Sequence, residues 1–142
     1  MSANRQFVDT NVLIYAHDRS AGDKHVRAQA LVADLWNDNN GCLSVQVLQE
    51  FYVNITRKVA QPLDPETARQ IVADLGCWTV HKPTVDDVLE GIALQQRYQL
   101  SFWDAMIVTS AIQLKCDVLW SEDLNDGQTY GPLRITNPFI PA

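Results

Sequence analysis

Four acidic side chains, Asp9, Glu50, Asp104 and Asp123, stand where the chain passes from one structural pattern to the next. Asp9 follows the short apolar run Gln6 to Val8, and Asp123 follows the run Asp117 to Trp120. Glu50 falls in the first half of a helical stretch that opens after Ser44. Asp104 falls in the first turn of one that opens at Ser101. Each has an ordinary structural role open to it. Asp9 can cap a helix. Asp104 fits a Ser-x-x-Asp capping pattern with Ser101. Glu50 shares a polar helix face with Asn54 and Arg57, and Asp123 can be a loop aspartate. Unrelated caps, however, have no reason to share one edge of a fold.

Gathered in one cleft, these acids would repel. Two carboxylates about 5 Å apart cost about 3 kcal/mol at an effective dielectric of about 20. Either some take up protons, or a hard divalent cation sits among them. Oxygen donors alone favour Mg²⁺ or Mn²⁺ over zinc. His17, His25 and His81 are isolated, so no zinc-type spacing is offered. An ion held by carboxylates lowers the pKa of a bound water and neutralises phosphate charge, which suits phosphodiester hydrolysis. No protein nucleophile is then required. The sequence offers no Gly-rich phosphate loop, no G-x-S-x-G elbow and no Cys–His pairing.

The elements that must position these residues alternate in type. Strands are expected at Gln6 to Val8, Cys42 to Ser44, Cys77 to Val80, Asp117 to Trp120 and Leu133 to Thr136. Helices are expected from about Val12, over Lys24 to Asn37, from Ser44 to about Val59, from Pro65 to Leu75, over Val85 to Tyr98 and over Ser101 to Leu114. Leu48, Phe51, Tyr52, Ile55 and Val59 recur at helical spacing. Ala105 to Ala111 is apolar or small nearly all round, which predicts a central buried helix. Strands alternating with helices imply crossovers and a mainly parallel sheet with helices on both faces. Ligands of such sheets bind beyond the carboxyl ends of the strands, and all four acids belong at that edge.

Length and composition set the bounds. The chain has 142 residues, 17 acidic against 11 basic side chains and a net charge of −6. One domain over 1–142 is expected, without linker, repeat or low-complexity run. No apolar stretch is long enough to span a bilayer, and no secretory signal is expected at the N-terminus. Cys42, Cys77 and Cys116 are odd in number and widely spaced, which reads as buried thiols in a reducing cytoplasm. The acidity predicts no broad basic surface for nucleic acid. Setting the four acids aside from −6 leaves −2, so bound cations would remove much of that objection.

The order Val8-Asp9-Thr10-Asn11, Gln49-Glu50-Phe51-Tyr52, Ser101-Phe102-Trp103-Asp104-Ala105 and Ser121-Glu122-Asp123-Leu124 resembles the PIN-domain ribonucleases, and most of all the VapC toxins of toxin–antitoxin pairs. The likeness covers essentially the whole chain, including the closing Asn137-Pro138-Phe139. It implies a three-layer α/β/α sandwich, Mg²⁺- or Mn²⁺-dependent endonucleolytic cleavage of RNA, homodimers and an antitoxin that blocks the site. It further implies that Asp9, Glu50, Asp104 and Asp123 form the acidic quartet, with Asn11 ordering the first loop and Ser121 positioning a carboxylate or water. Glu122 and Asp126 stay open as alternatives to Asp123. Arg57 and Asn54, on the Glu50 face, are candidate RNA contacts, with Lys58, Arg19, Lys24 and Arg27 weaker ones. Two other functions compete: a PIN-fold binding or regulatory module with little activity, and a phospho-receiver domain. The latter is disfavoured because Asp9 stands alone after the first strand and no Lys follows Trp120.

Overall fold

The computed structural model describes residues 4–140. Six strands form one sheet: β1 (Gln6–Val8), β2 (Gly41–Ser44), β3 (Thr79–His81), β4 (Val118–Trp120), β5 (Thr129–Tyr130) and β6 (Leu133–Thr136). The helices are α1 (Thr10–His17), α2 (Asp23–Asp38), α3 (Val45–Arg57), α4 (Pro65–Leu75), α5 (Val85–Tyr98) and α6 (Phe102–Gln113). The strand order is β3-β2-β1-β4-β6-β5. All neighbours are parallel except β5, which runs antiparallel to β6.

The topology follows from handedness. The chain steps outward from β1 to β2 to β3, then returns to the other side of β1 as β4. Right-handed crossovers put the helices of the outward steps on one face and those of the return on the other. Accordingly α1 packs on α2 and α3, and α3 on α4, while α5 packs on α6. The result is the expected three-layer α/β fold. Strand order reverses between β1 and β4, which makes their carboxyl ends the crevice of the fold.

Local sequence explains the elements. Phe7, Val8, Leu43 and Leu119 are fully buried, as strands covered on both faces require. Every residue of α6 from Ala105 to Ala111 is buried, as its composition predicts. Asp64 caps α4 and Pro65 occupies its first turn. Thr84 and Asp87 form a full capping box on α5. Asp87 also meets His81 Nε2 at 3.2 Å, and His81 Nδ1 lies 2.8 Å from Ser110 Oγ, which ties β3, α5 and α6 together.

Several boundaries differ from the sequence expectation. α1 begins at Thr10 rather than Val12, because Asp9 itself is the cap. β3 begins at Thr79 rather than Cys77, because the amides of Cys77 and Trp78 still bond the carbonyls of Asp74 and Leu75 as α4 unwinds. That turn leaves Cys77 exposed rather than buried, while Cys42 and Cys116 are buried and all three are free thiols. α3 ends at Arg57 rather than Val59. β5, expected as loop, is a two-residue edge strand turned back on β6 through Gly131 at φ 61°.

One close approach is decisive for β2. A side chain added at Gly41 would stand 2.5 Å from the ring of Trp78, which packs edge-on against Trp36. Gly41→Ala should therefore cost about 1–3 kcal/mol of stability through overpacking. A denaturant unfolding curve with an unchanged midpoint would contradict this packing.

Candidate active site

The strand ladder delivers the first acid. Asp9 N–H donates to Trp120 O at 2.9 Å, so the β1–β4 pairing runs one residue into the site. Ser121 N–H donates to Thr136 O at 3.0 Å and extends β4–β6 in the same way. Asp9 Oδ1 accepts from Thr10 N–H at 2.7 Å, and Oδ2 accepts from Ser121 Oγ at 2.8 Å. Ser121 is wholly buried. Its Oγ also accepts from the amides of Asp123 at 3.1 Å and Leu124 at 3.4 Å, so one hydroxyl fixes both the first acid and the loop carrying the last.

The other acids arrive on helices. Ser101 Oγ accepts from Asp104 N–H at 3.1 Å and starts α6 with Asp104 in its first turn. Ser44 caps α3 in the same manner and brings Glu50 to the cleft. Glu50 Oε1 accepts from Thr10 Oγ1 at 2.6 Å, and Oε2 from Gln46 Nε2 at 3.1 Å. Asn11 Nδ2 donates to Asp123 Oδ2 at 2.9 Å, tying α1 to the loop after β4. The capping roles and the clustering thus coexist. The caps are the means by which the acids reach one edge.

Asp9, Glu50, Asp104 and Asp123 line a single cavity of about 250 Å³, with Thr10, Asn11, Gln46 and Asn54 among its other walls. Exposure rises from Asp9, at 5 %, through half-buried Glu50 and Asp104 to exposed Asp123. Burial pushes the Asp9 carboxyl up to about 7. Its bonds from Ser121 and Thr10 oppose that rise, and repulsion from Asp104 and Asp123 adds to it. Asp104 is also raised, first by burial and then by Asp123 and Glu50, against its bond with Ser101.

A family model of the PIN domain matches residues 7–126. The chain belongs to the PIN domain family. No curated protein sequence matches it. Solved structures share the PIN fold at low identity. A toxin–antitoxin complex from Klebsiella pneumoniae is 18% identical with a TM-score of 0.70, over 94% of this chain and 98% of that one. VapC20 of Mycobacterium tuberculosis, a toxin that cleaves the sarcin–ricin loop, is 20% identical with a TM-score of 0.63, over 83% and 89%. VapBC2 of Rickettsia felis, bound to a promoter DNA fragment, is 15% identical with a TM-score of 0.66, over 93% and 97%. A PIN domain is not a phospho-receiver, so that reading falls.

The remaining candidates of this PIN domain lie as follows. Glu122 is engaged by Lys24 and by Tyr15 Oη at 2.8 Å and is absent from the cavity wall. Asp126 Oδ1 accepts from Asn137 N–H at 2.8 Å and is likewise outside it. Asn54 is in the wall, its amide donating to Glu50 O at 2.7 Å. Arg57 closes α3 as an exposed residue beyond the wall. Thr10 and Gln46 escaped the sequence reading. Gln46 stands four residues before Glu50, a spacing that puts the two on one helix face.

The donor set suits a hard cation. Among the described residues, no three His, Cys, Asp or Glu side chains close tightly enough to enclose an ion. Mg²⁺ does not need such a cage. It keeps several waters and takes one or two carboxylates together with substrate phosphate. An open pocket of oxygen donors, part-desolvated and mutually repelling, fits that requirement.

The raised Asp9 carboxyl has a consequence for the metal-free protein. Between the ordinary 3.8 and about 7, the folded state holds a proton that the unfolded chain has released. Stability should therefore fall as pH rises through that window. Asp9→Asn should flatten this dependence and stabilise the metal-free protein at neutral pH. Thermal unfolding across the window in both proteins checks this, and identical slopes would contradict it.

Proposed function

We propose that this PIN domain is a Mg²⁺- or Mn²⁺-dependent endoribonuclease that hydrolyses phosphodiester bonds, acting as the toxin of a toxin–antitoxin pair. One observation carries the reading. Four carboxylates from separate parts of the chain share one pocket whose wall holds no Lys, Arg, Cys or His. Such a wall suits attack by water rather than by a side chain. Asp9, Glu50, Asp104 and Asp123 would hold the ion. When bound, it supplies an activated water and offsets the charge of the phosphate.

The chain's own groups divide the remaining work. Asp9, raised to about 7 by burial, holds a proton near neutral pH in the metal-free protein and would give it up to the bound ion. Ser121 keeps Asp9 Oδ2 in place, and Asn11 keeps Asp123 at the mouth. Thr10 and Gln46 orient Glu50. Asn54 is a contact for RNA inside the pocket, and Arg57 meets a phosphate further along the strand.

The comparisons and the surface of the fold support the proposed partners. A relative of this fold cleaves the sarcin–ricin loop and others are toxin–antitoxin complexes, which supports RNA as substrate and an antitoxin protein as inhibitor. A groove of about 630 Å³ lined by Leu48, Tyr52, Val53 and Val72 supports self-association of α3 and α4 as a homodimer. Among the described residues no helix is long and apolar enough to cross a membrane. The free thiols support a reducing cytoplasm.

The open spacing of the acids favours one second reading, a PIN module that binds RNA without cutting it. An RNA cleavage assay with Mn²⁺ separates the two. Cleavage should stop with chelator. It should fall by about a hundredfold or more in Asp104→Asn, since even outer partners of metal sites cost about ten- to a hundredfold. The variant should keep its circular dichroism spectrum. RNA retained on the protein but left intact in Mn²⁺ would establish the second reading instead.

A further inference from the structure

Gln46 makes two bonds with one nitrogen. Its Nε2 donates to Glu50 Oε2 at 3.1 Å and to Trp103 O at 3.2 Å. The first acceptor is on α3 and the second in the first turn of α6, one residue before Asp104. These helices lie on opposite faces of the sheet, so a single amide spans the cleft edge between the layers. A primary amide nitrogen has two protons and no acceptor capacity, and both protons are used. The reverse orientation would set the amide oxygen against a carboxylate and a carbonyl, which fixes the assignment.

The choice of an amide matters chemically. A Lys or Arg at this position would hold Glu50 equally well but would neutralise it. Gln46 holds the carboxylate and leaves its charge in a pocket without basic side chains. Thr10 grips the other oxygen of Glu50 at 2.6 Å, next to Asp9 in the chain. Glu50 is thus tied on one side to the residue after Asp9 and on the other to the residue before Asp104.

We propose that Gln46 is a positioning residue that sets the placement of Glu50 relative to Asp104 and so governs how tightly the cleft holds a divalent cation. This rests on the metal-dependent reading above and adds a named determinant to it. Groups that orient metal-binding carboxylates are worth about ten- to a hundredfold in affinity when removed. Misplacement of about 1 Å in such a site costs a similar factor in rate.

The test is calorimetric titration of the full chain with Mn²⁺, in the wild type, Gln46→Met and Gln46→Asn. Met keeps the length without the donor, and Asn keeps the amide without the reach to both acceptors. Both variants should bind Mn²⁺ about tenfold more weakly. Both should keep the wild-type circular dichroism spectrum and unfold cooperatively without metal, so that the loss is read in the Mn²⁺ affinity of folded protein. Equal Mn²⁺ affinity in all three proteins would overturn the proposal, as would a wild type that binds no Mn²⁺. A wild type that binds Mn²⁺ tightly, variants that do not, and no RNA cleavage by any of them would sink the nuclease reading while leaving Gln46 in its role.

Discussion

Keeping a carboxylate ionised where water is excluded is costly, and Asp9 sits in that position. It follows the central strand β1, is 5 % exposed and is raised to about 7. Two donors, Ser121 Oγ and Thr10 N–H, offset part of the cost. The remainder is met by a proton in the metal-free protein and, on the proposed reading, would be met by a cation once one is bound. The rest of the site is arranged around this group. Ser121 is buried beneath it, Glu50 is held by the residue after it, and Asp104 and Asp123 add their repulsion from above.

The fold makes that arrangement possible through its switch in strand order. β1 lies between β2 and β4, and the chain leaves on one side and returns on the other. The loops after β1 and β4 therefore face each other, and the helices after β2 and before β4 open onto the same edge. Capping brings the acids there. Ser44, Ser101 and Asp9 each accept a backbone amide at a helix start. Those local bonds, typically worth about 1 kcal/mol each, decide where the carboxylates point. Stability and function draw on the same side chains, so acid-to-amide changes should separate them.

Much of this is legible in the sequence because it is local. Apolar runs flanked by Asp or Ser mark strand ends, and the all-apolar Ala105 to Ala111 stretch marks the buried helix. Asp9, Glu50, Asp104 and Asp123 could be placed on one edge by topology alone, and the cavity contains all four. What depends on long-range contacts was not legible. The edge strand β5 is two residues long and owes its state to β6. Glu122 and Asp123 are neighbours in sequence, and only Lys24 and Tyr15 draw Glu122 away. Gln46 reveals itself through Trp103, which is distant in the chain. Arg57 shares a helical face with Glu50, yet the helix carries it past the cavity.

The net charge of −6 also changes meaning. An acidic protein with an acidic pocket cannot hold RNA by a basic surface, so on the proposed reading cations in the pocket would mediate the encounter. The central claim is that the buried Asp9 exchanges a proton for a divalent ion. Calorimetric Mn²⁺ titrations in buffers of different ionisation enthalpy measure this directly. Binding should release a fraction of a proton per ion near pH 7, a fraction that shrinks as the pH rises above the Asp9 value of about 7 and disappears in Asp9→Asn. Binding with no proton release at any pH in the wild-type protein would contradict the account.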